Sequence, residues 1–360
     1  MKRIICLCNT YYQLIFAFQL KKTIYKDDCF VLLISDQSKS ADKIAKSVEN
    51  LKFFEEVHFV STKKIDYETG SISKKKQYFE EILQNIGKPK FDEFLFYNIS
   101  QSTTFLFSRL YAYNKQIKCF RFEEGILSYG NFLKHIPLTL SWYVNHGMYC
   151  IRKIVPKINY IDKIQGFYCY YPSIYGGTFE RHAVPLINKG DVGEVIVKAF
   201  GVNCDELEYK EKYIFFTSVY DFEGGEPIGE LELVRKIASA VGKENLLIKM
   251  HPRDTRTVYE EEGFHIDTNS SVPFEALLFA YDFSDKVLLT ATSGAVLSAS
   301  LMLENPPKTY YMYPLCNIDG NSSAKGTVSQ IDAVLSHDSM QNKVNQIHIC
   351  NRVDDIVHEV

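Results

Sequence analysis

At 360 residues the chain is too long for one ordinary domain and suits two of roughly 150–200 residues each. Its composition, 46% apolar and 24% charged, supports full hydrophobic cores and excludes disorder as the main state. A net charge of −3 argues against a dedicated nucleic-acid binder, which needs a basic face to neutralise phosphates.

In the first half, short β-branched or aromatic runs alternate with longer stretches of helical spacing. Arg3–Cys8, Cys29–Ser35, Glu56–Val60, Phe91–Tyr97 and Ile117–Phe122 read as strands. Tyr12–Lys22, Lys39–Leu51, Lys74–Ile86 and Thr103–Asn114 read as the helices between them. Near-continuous apolar strands joined by helices predict a parallel sheet covered on both faces. A second series begins near Lys212, with strands at Tyr213–Thr217, Leu246–Met250, Phe264–Ile266, Lys286–Thr290 and Lys308–Tyr313. Its helices are Leu231–Val241, Phe274–Tyr281 and Ala295–Met302. The stretch from Asn131 to Glu211 is aromatic and irregular, with Pro137, Pro156, Pro172 and Gly176-Gly177, and is expected to connect the domains. The expected fold is therefore α/β with two Rossmann-type parallel-sheet domains, 1–180 and 181–360, and the active site in the cleft between them.

The nine cysteines are scattered and odd in number, which suits reduced thiols in a cytoplasmic protein. Cys6 and Cys8, two apart in the first strand, are read as facing opposite ways and so unable to share a metal. No stretch reaches about 18 uninterrupted apolar residues, so no membrane span is expected. The segment Ile151–Lys163, with Arg152, Lys153, Lys157 and Lys163, is a candidate for peripheral contact with an anionic inner membrane face, though a plain solvated face is the better reading of it.

In open parallel sheets ligands gather outside the carboxyl ends of the strands. Polar residues at strand exits are therefore the candidates. Asn9-Thr10-Tyr11-Tyr12-Gln13 follows the first strand and offers hydrogen-bonding groups, although helix capping alone accounts for Asn9 or Thr10. Glu123-Glu124-Gly125 puts two adjacent carboxylates at a strand end, where one raises the other's pKa toward general-base range; a solvated turn is the plain alternative. Asp221 sits in the loop after Tyr213–Thr217 and is a candidate base, or a loop cap. His251-Pro252-Arg253 places an imidazole where it can assist a leaving group. Glu275 opens a helix just after Pro273, where it could accept from ribose hydroxyls. Thr292-Ser293-Gly294 leads into a helix whose first N–H groups suit a phosphate, or it is an ordinary N-cap. The sequence contains no Asp-x-Asp, GxxxxGK[ST], strand-linked GxGxxG, HExxH or GxSxG, which disfavours metal chelation by that acidic motif, P-loop hydrolysis, NAD chemistry, zinc proteolysis and α/β-hydrolase chemistry.

Taken in order, the Glu-Glu-Gly triplet, the His-Pro dipeptide and the Ser-Gly turn resemble the bacterial sialyltransferases, and more closely glycosyltransferase family 52. Thr10 to Gln13 as Thr-x-x-Gln, His251-Pro252-Arg253, Glu275 and Ser293-Gly294-Ala295 carry that resemblance over roughly residues 3 to 300. It implies a GT-B-like fold and metal-independent, inverting transfer of sialic acid from CMP-sialic acid to a galactose-type hydroxyl of a bacterial surface glycan, capsule or lipooligosaccharide. CMP-sialic acid enters as donor substrate, with no further cofactor. The implied catalytic residues are His251, assisting departure of CMP, and a carboxylate base. Family 52 points to Asp221 for that base; related families point to Glu123 or Glu124. Pro252, Arg253, Glu275, Thr292, Ser293 and Gly294 are implied on the donor side, and Asn9, Thr10, Gln13 and Gly125 on the acceptor side. The expected partners are nucleotide sugar and glycan, not nucleic acid, and a homodimer is left open. The rival readings are a GT-B enzyme with another nucleotide sugar, a non-catalytic nucleotide- or glycan-binding protein, and a hydrolase of an activated sugar.

Overall fold

The computed structural model describes residues 1–68, 71–130, 149–150, 153–156, 160–269, 272–340 and 346–357. They divide into two compact units. The first comprises Met1–Glu124, Ser128–Pro185 and Lys198–Gly201; the second comprises Gly125–Leu127, Leu186–Val197 and Val202–Val360. The expected division after residue 180 falls at the first residue of a strand, Glu180–Ala183, that belongs to the first sheet.

In the first unit the strands are β1 (Arg3–Cys8), β2 (Cys29–Ser35), β3 (Glu56–Val60), β4 (Glu93–Phe96) and β5 (Lys118–Phe122), then the short hairpin β6 (Tyr149–Cys150) and β7 (Lys153–Pro156), then β8 (Ile164–Cys169) and β9 (Glu180–Ala183). The helices are α1 (Tyr11–Thr23), α2 (Ala41–Asn50), α3 (Thr62–Tyr67), α4 (Ile72–Asn85) and α5 (Gln101–Tyr113). Seven strands form one parallel sheet in the order β3-β2-β1-β4-β5-β8-β9. The chain builds outward from β1 through β2 to β3, then returns to the other side of β1 with β4. That reversal is the switch point at which open sheets leave room for a ligand. β2 is buried at every position because helices cover both faces. α1 is buried on nearly all sides from Tyr12 to Lys21, so its spacing is that of a core helix. Thr10 caps α1 by accepting the Gln13 N–H at 3.3 Å.

β8 and β9 extend the sheet through a stretch whose sequence reads as irregular. Gly166 interrupts the apolar run of β8, and β9 is a polar edge strand, Glu-Arg-His-Ala, so neither shows the expected signature. The glycine is required by packing: a Cβ at 166 would lie 2.2 Å from His182 Nε2 of β9. Cys6 and Cys8 correct another expectation. Side chains two apart in a strand share a face, and the two buried Sγ atoms lie 3.7 Å apart. Of the segment Ile151–Lys163, residues 151–152 and 157–159 lie outside the described residues.

The second unit carries β10 (Tyr213–Phe216), β11 (Leu246–Lys249), β12 (His265–Ile266), β13 (Val287–Thr290), β14 (Lys308–Tyr311) and β15 (Ile347–Ile349). Its helices are α6 (Glu194–Ala199), most of which falls in this unit, α7 (Glu230–Val241), α8 (Val258–Glu261), α9 (Phe274–Ala280), α10 (Gly294–Met302) and α11 (Ser322–Leu335). The sheet order β12-β11-β10-β13-β14-β15 is again parallel and again reverses, here between β10 and β13. α10 mirrors α1: it follows the strand at the reversal and is buried throughout from Val296 to Met302. Among the described residues no helix is long and apolar enough to cross a membrane.

Candidate functional site

The switch point of the first sheet carries a connected polar cluster. Asn9 and Asn98 leave the carboxyl ends of the adjacent strands β1 and β4. The Asn9 Nδ2 donates to Asn98 Oδ1 at 3.0 Å, and Gln13 Nε2 donates to the same oxygen at 2.8 Å. The Asn9 backbone N–H donates to Gln13 Oε1 at 2.7 Å. Thr10 and Gln13 also donate to the carboxylate of Glu124, at the end of β5. Burial raises the Glu124 pKa, while those two hydrogen bonds and the buried Arg121 guanidinium oppose the rise. Arg121 is itself held by the Tyr97 carbonyl at 3.0 Å and lies 4.5 Å over the Tyr97 ring. Glu124 keeps part of its surface exposed. The cluster therefore presents a partly desolvated carboxylate, oriented by two neutral donors, which is what a general base requires.

Glu123 is different. It is fully buried, and its carboxylate accepts from Tyr12 Oη at 2.6 Å, Tyr129 Oη at 2.5 Å and the Tyr170 N–H at 2.9 Å. Burial outweighs these bonds and pushes its pKa up to about 7. Every direction of approach is occupied by protein, so Glu123 ties α1, the turn after β5 and the end of β8 together. That enclosure argues against the expectation that it takes a substrate proton.

Gly125 has φ +69, the left-handed region, and a Cβ there would lie 2.3 Å from Ser298 Oγ of α10. The Ile126 N–H donates to that hydroxyl at 3.2 Å. Gly125 is thus a close-approach glycine, with no side chain to offer a ligand.

At the switch point of the second sheet, the β13–α10 turn is built around Thr290, whose hydroxyl donates to Phe216 O at 3.0 Å and accepts the Ser293 N–H at 2.9 Å. Ser293 stands at the N-cap of α10, but its hydroxyl makes no capping bond. Thr292 is buried and its Oγ1 has no hydrogen-bond partner. Gly294 packs against Ile126, where an added Cβ would be 3.7 Å from its Cδ1. Two uncommitted hydroxyls beside the positive end of a buried helix suit an anionic oxygen.

His251 follows β11. Its N–H donates to Thr217 Oγ1 at 2.8 Å, and its Nδ1 accepts the Arg253 N–H at 3.2 Å. With Nδ1 accepting, the neutral ring carries its proton on Nε2. Burial, then the Arg253 charge, lowers the His251 pKa, so near neutrality the ring is a neutral hydrogen-bond donor. Pro252 and Arg253 are exposed, and Arg253 pairs with Glu223 at 2.7 Å. Glu275 lies at the second position of α9, buried, with its pKa raised by burial and opposed by its own N–H and by Lys249.

Asp221 has a structural task. Its Oδ1 accepts the N–H groups of Ile228 at 2.8 Å and Gly229 at 3.1 Å, and its Oδ2 accepts that of Glu230 at 2.8 Å. Gly229 stands at the N-cap of α7 with φ +81 and no side chain to cap with, and Asp221 supplies the missing cap. Both carboxylate oxygens are engaged by backbone donors, which argues against the base role expected for it. Buried Glu230 accepts in turn from Ser218 N–H at 3.1 and 2.9 Å and is pushed up to about 8, chiefly by burial.

Asn98, Arg121, Thr217 and Thr290 belong to these clusters and escaped the sequence reading. Asn98 and Thr217 do stand just past strand ends, where the rule applied to their neighbours would have found them.

Two doubly wound parallel sheets, each with a polar cluster at its switch point, define the GT-B class of sugar-transferring and nucleotide-sugar enzymes. The family model described as Alpha-2,8-polysialyltransferase (POLYST) matches residues 4–312, and the chain belongs to that family. The motif resemblance to bacterial sialyltransferases is thereby borne out. In fold the chain is similar to the alpha/beta-galactoside alpha-2,3-sialyltransferase of the luminous marine bacterium Photobacterium phosphoreum, with a TM-score of 0.54 at 10% identity over 98% of each chain. It is also similar to the UDP-GlcNAc 2-epimerase of Methanocaldococcus jannaschii, with a TM-score of 0.53 at 12% identity over 100% of this chain and 92% of that one. No curated protein matches the chain in sequence.

Proposed function

We propose that this protein transfers sialic acid from CMP-sialic acid to a glycan hydroxyl, with inversion at the anomeric carbon and without a metal. The observation that carries the donor half is the β13–α10 turn, where a buried, unpartnered Thr292 hydroxyl and an uncapped Ser293 lie beside a helix N-terminus. A nucleotide phosphate supplies the charge and the acceptor atoms that this turn lacks. Glu275 takes the ribose hydroxyls, and Arg253 adds a cation on the donor side.

In the proposed step, Glu124 removes the proton of the acceptor hydroxyl as its oxygen bonds to the anomeric carbon. The bond from that carbon to the phosphate oxygen breaks, and its electrons leave with CMP. His251 donates Nε2–H to the departing oxygen. Because the ring is neutral beforehand, it stabilises developing charge without binding the ground-state phosphate as an ion pair. Asn9, Thr10 and Gln13 serve the acceptor side. The family description, alpha-2,8-polysialyl transfer, favours a sialic-acid-terminated glycan as acceptor over the galactose-type hydroxyl suggested by the motifs alone.

The test is CMP release from CMP-sialic acid in EDTA, alone, with a lactoside and with a sialyllactoside. Release that depends on either acceptor supports the proposal, and the better acceptor decides between the two. Release without an acceptor makes the protein a hydrolase. No release, together with no thermal stabilisation by CMP, refutes the donor assignment.

A further inference from the structure

The amide network at the first switch point fixes its own hydrogen directions. A backbone N–H can only donate, so the Gln13 atom that meets the Asn9 N–H at 2.7 Å is its oxygen. The other terminal atom of Gln13 is then NH2, and the Asn98 atom 2.8 Å away must be an oxygen. The Asn9 atom 3.0 Å from that oxygen must in turn be NH2. One group is left over: Asn9 Oδ1, on a side chain more than nine-tenths buried, has no hydrogen-bond partner. Rotating the Asn9 amide does not relieve it, since that would bring two acceptor oxygens together.

Several donors of this cluster are spent internally. Asn9 Nδ2 goes to Asn98, Gln13 Nε2 to Asn98 and Glu124, and Thr10 to Glu124. Two acceptors remain for a ligand, the Glu124 carboxylate and the Asn9 carbonyl. An anionic group is repelled by both. A neutral group with two donors satisfies both.

We propose that Asn9 Oδ1 is a specificity-determining contact that accepts a hydrogen bond from a second neutral donor on the acceptor sugar, a hydroxyl or an acylamino N–H next to the hydroxyl deprotonated by Glu124. This deepens the glycan-transfer reading and rests on it. A buried acceptor left unsatisfied is costly, so a sugar lacking that donor binds less tightly by about 10-fold or more.

The test compares wild type, Asn9→Ala and Asn98→Ala as full chains, using the better of the two acceptors and its set of monodeoxy and deacylated analogues. Wild type is expected to discriminate against one analogue by about 10-fold or more in acceptor KM, and Asn9→Ala to lose that discrimination with donor KM unchanged. Asn98→Ala breaks the same Asn9–Asn98 bond but keeps the Asn9 carbonyl, so it retains the discrimination. Should Asn9→Ala fail to fold, Asn9→Ser, which lacks the carbonyl, takes its place. Undiminished discrimination in the Asn9 variant, or equal loss in Asn98→Ala, overturns the proposal. If wild type releases no CMP with either acceptor, the sialyl-transfer reading fails separately. Saturation-transfer NMR of lactoside, sialyllactoside and their analogues on the same variants then decides the subsite by the same criteria.

Discussion

Replacing Asp221 separates a helix cap from a catalytic base. Its carboxylate satisfies three backbone N–H groups at the start of α7, at 2.8, 3.1 and 2.8 Å, where Gly229 offers no side chain of its own. Loss of a capping side chain costs about 1 kcal/mol. Removing a negative charge from a helix N-terminus adds about 0.3–1 kcal/mol. Asp221→Ala is thus expected to destabilise the second unit by about 2 kcal/mol, and its melting temperature to fall by about 4–8 °C. Asp221→Asn, which keeps one acceptor oxygen, should lose about half as much. At a temperature well below the melt, CMP release by Asp221→Ala should stay within about tenfold of wild type, while Glu124→Gln should lose about 10²–10⁴-fold with CMP binding retained. Calorimetry and a CMP-release assay on the three variants decide the matter. A loss beyond about 10²-fold in Asp221→Ala, with the melting temperature unmoved, refutes the capping argument and returns the base to Asp221.

Three further outcomes follow from the same geometry. Gly125→Ala should cost about 1–2 kcal/mol for the left-handed backbone alone, and more because its Cβ meets Ser298 Oγ at 2.3 Å. Gly87→Ala, also at φ +69 but with open space, should show only the backbone cost, and equal melting shifts would show that Ser298 yields freely. Glu123 has its pKa raised to about 7 from 4.5, so between those values the folded chain holds a proton that the unfolded chain releases, and its contribution to stability falls as pH rises through that window. Glu123→Gln cannot ionise and should gain on wild type by up to about 3 kcal/mol from pH 5 to pH 8; a pH-independent difference in melting would contradict the burial argument. His251→Ala should lower kcat by about 10²–10⁴-fold while CMP still stabilises the protein thermally, and loss of CMP binding instead would make it a ground-state ligand.

The sheets were legible because their strands are buried on both faces and read as apolar runs: β1, β2 and β3 have the ends the sequence predicts, and most others differ by one or two residues. β9 was not, since an exposed edge strand needs no apolar face, and β8 hid behind the glycine that His182 demands. Which residues stand at strand exits was legible too, because it follows from element order. What each side chain does there was not, because that depends on partners far away in sequence. Nothing near Asp221 announces that Gly229, eight residues on, starts a helix without a cap. Nothing in Glu123-Glu124 says which acid turns inward, since that is decided by Tyr12, Tyr129 and Tyr170 on one side and by Thr10 and Gln13 on the other. Strand alternation requires only that the two acids part. The sequence therefore locates the carboxylate pair and leaves its division of labour to the tertiary structure, where one acid becomes a buried tie and its neighbour keeps both its exposure and its orienting donors.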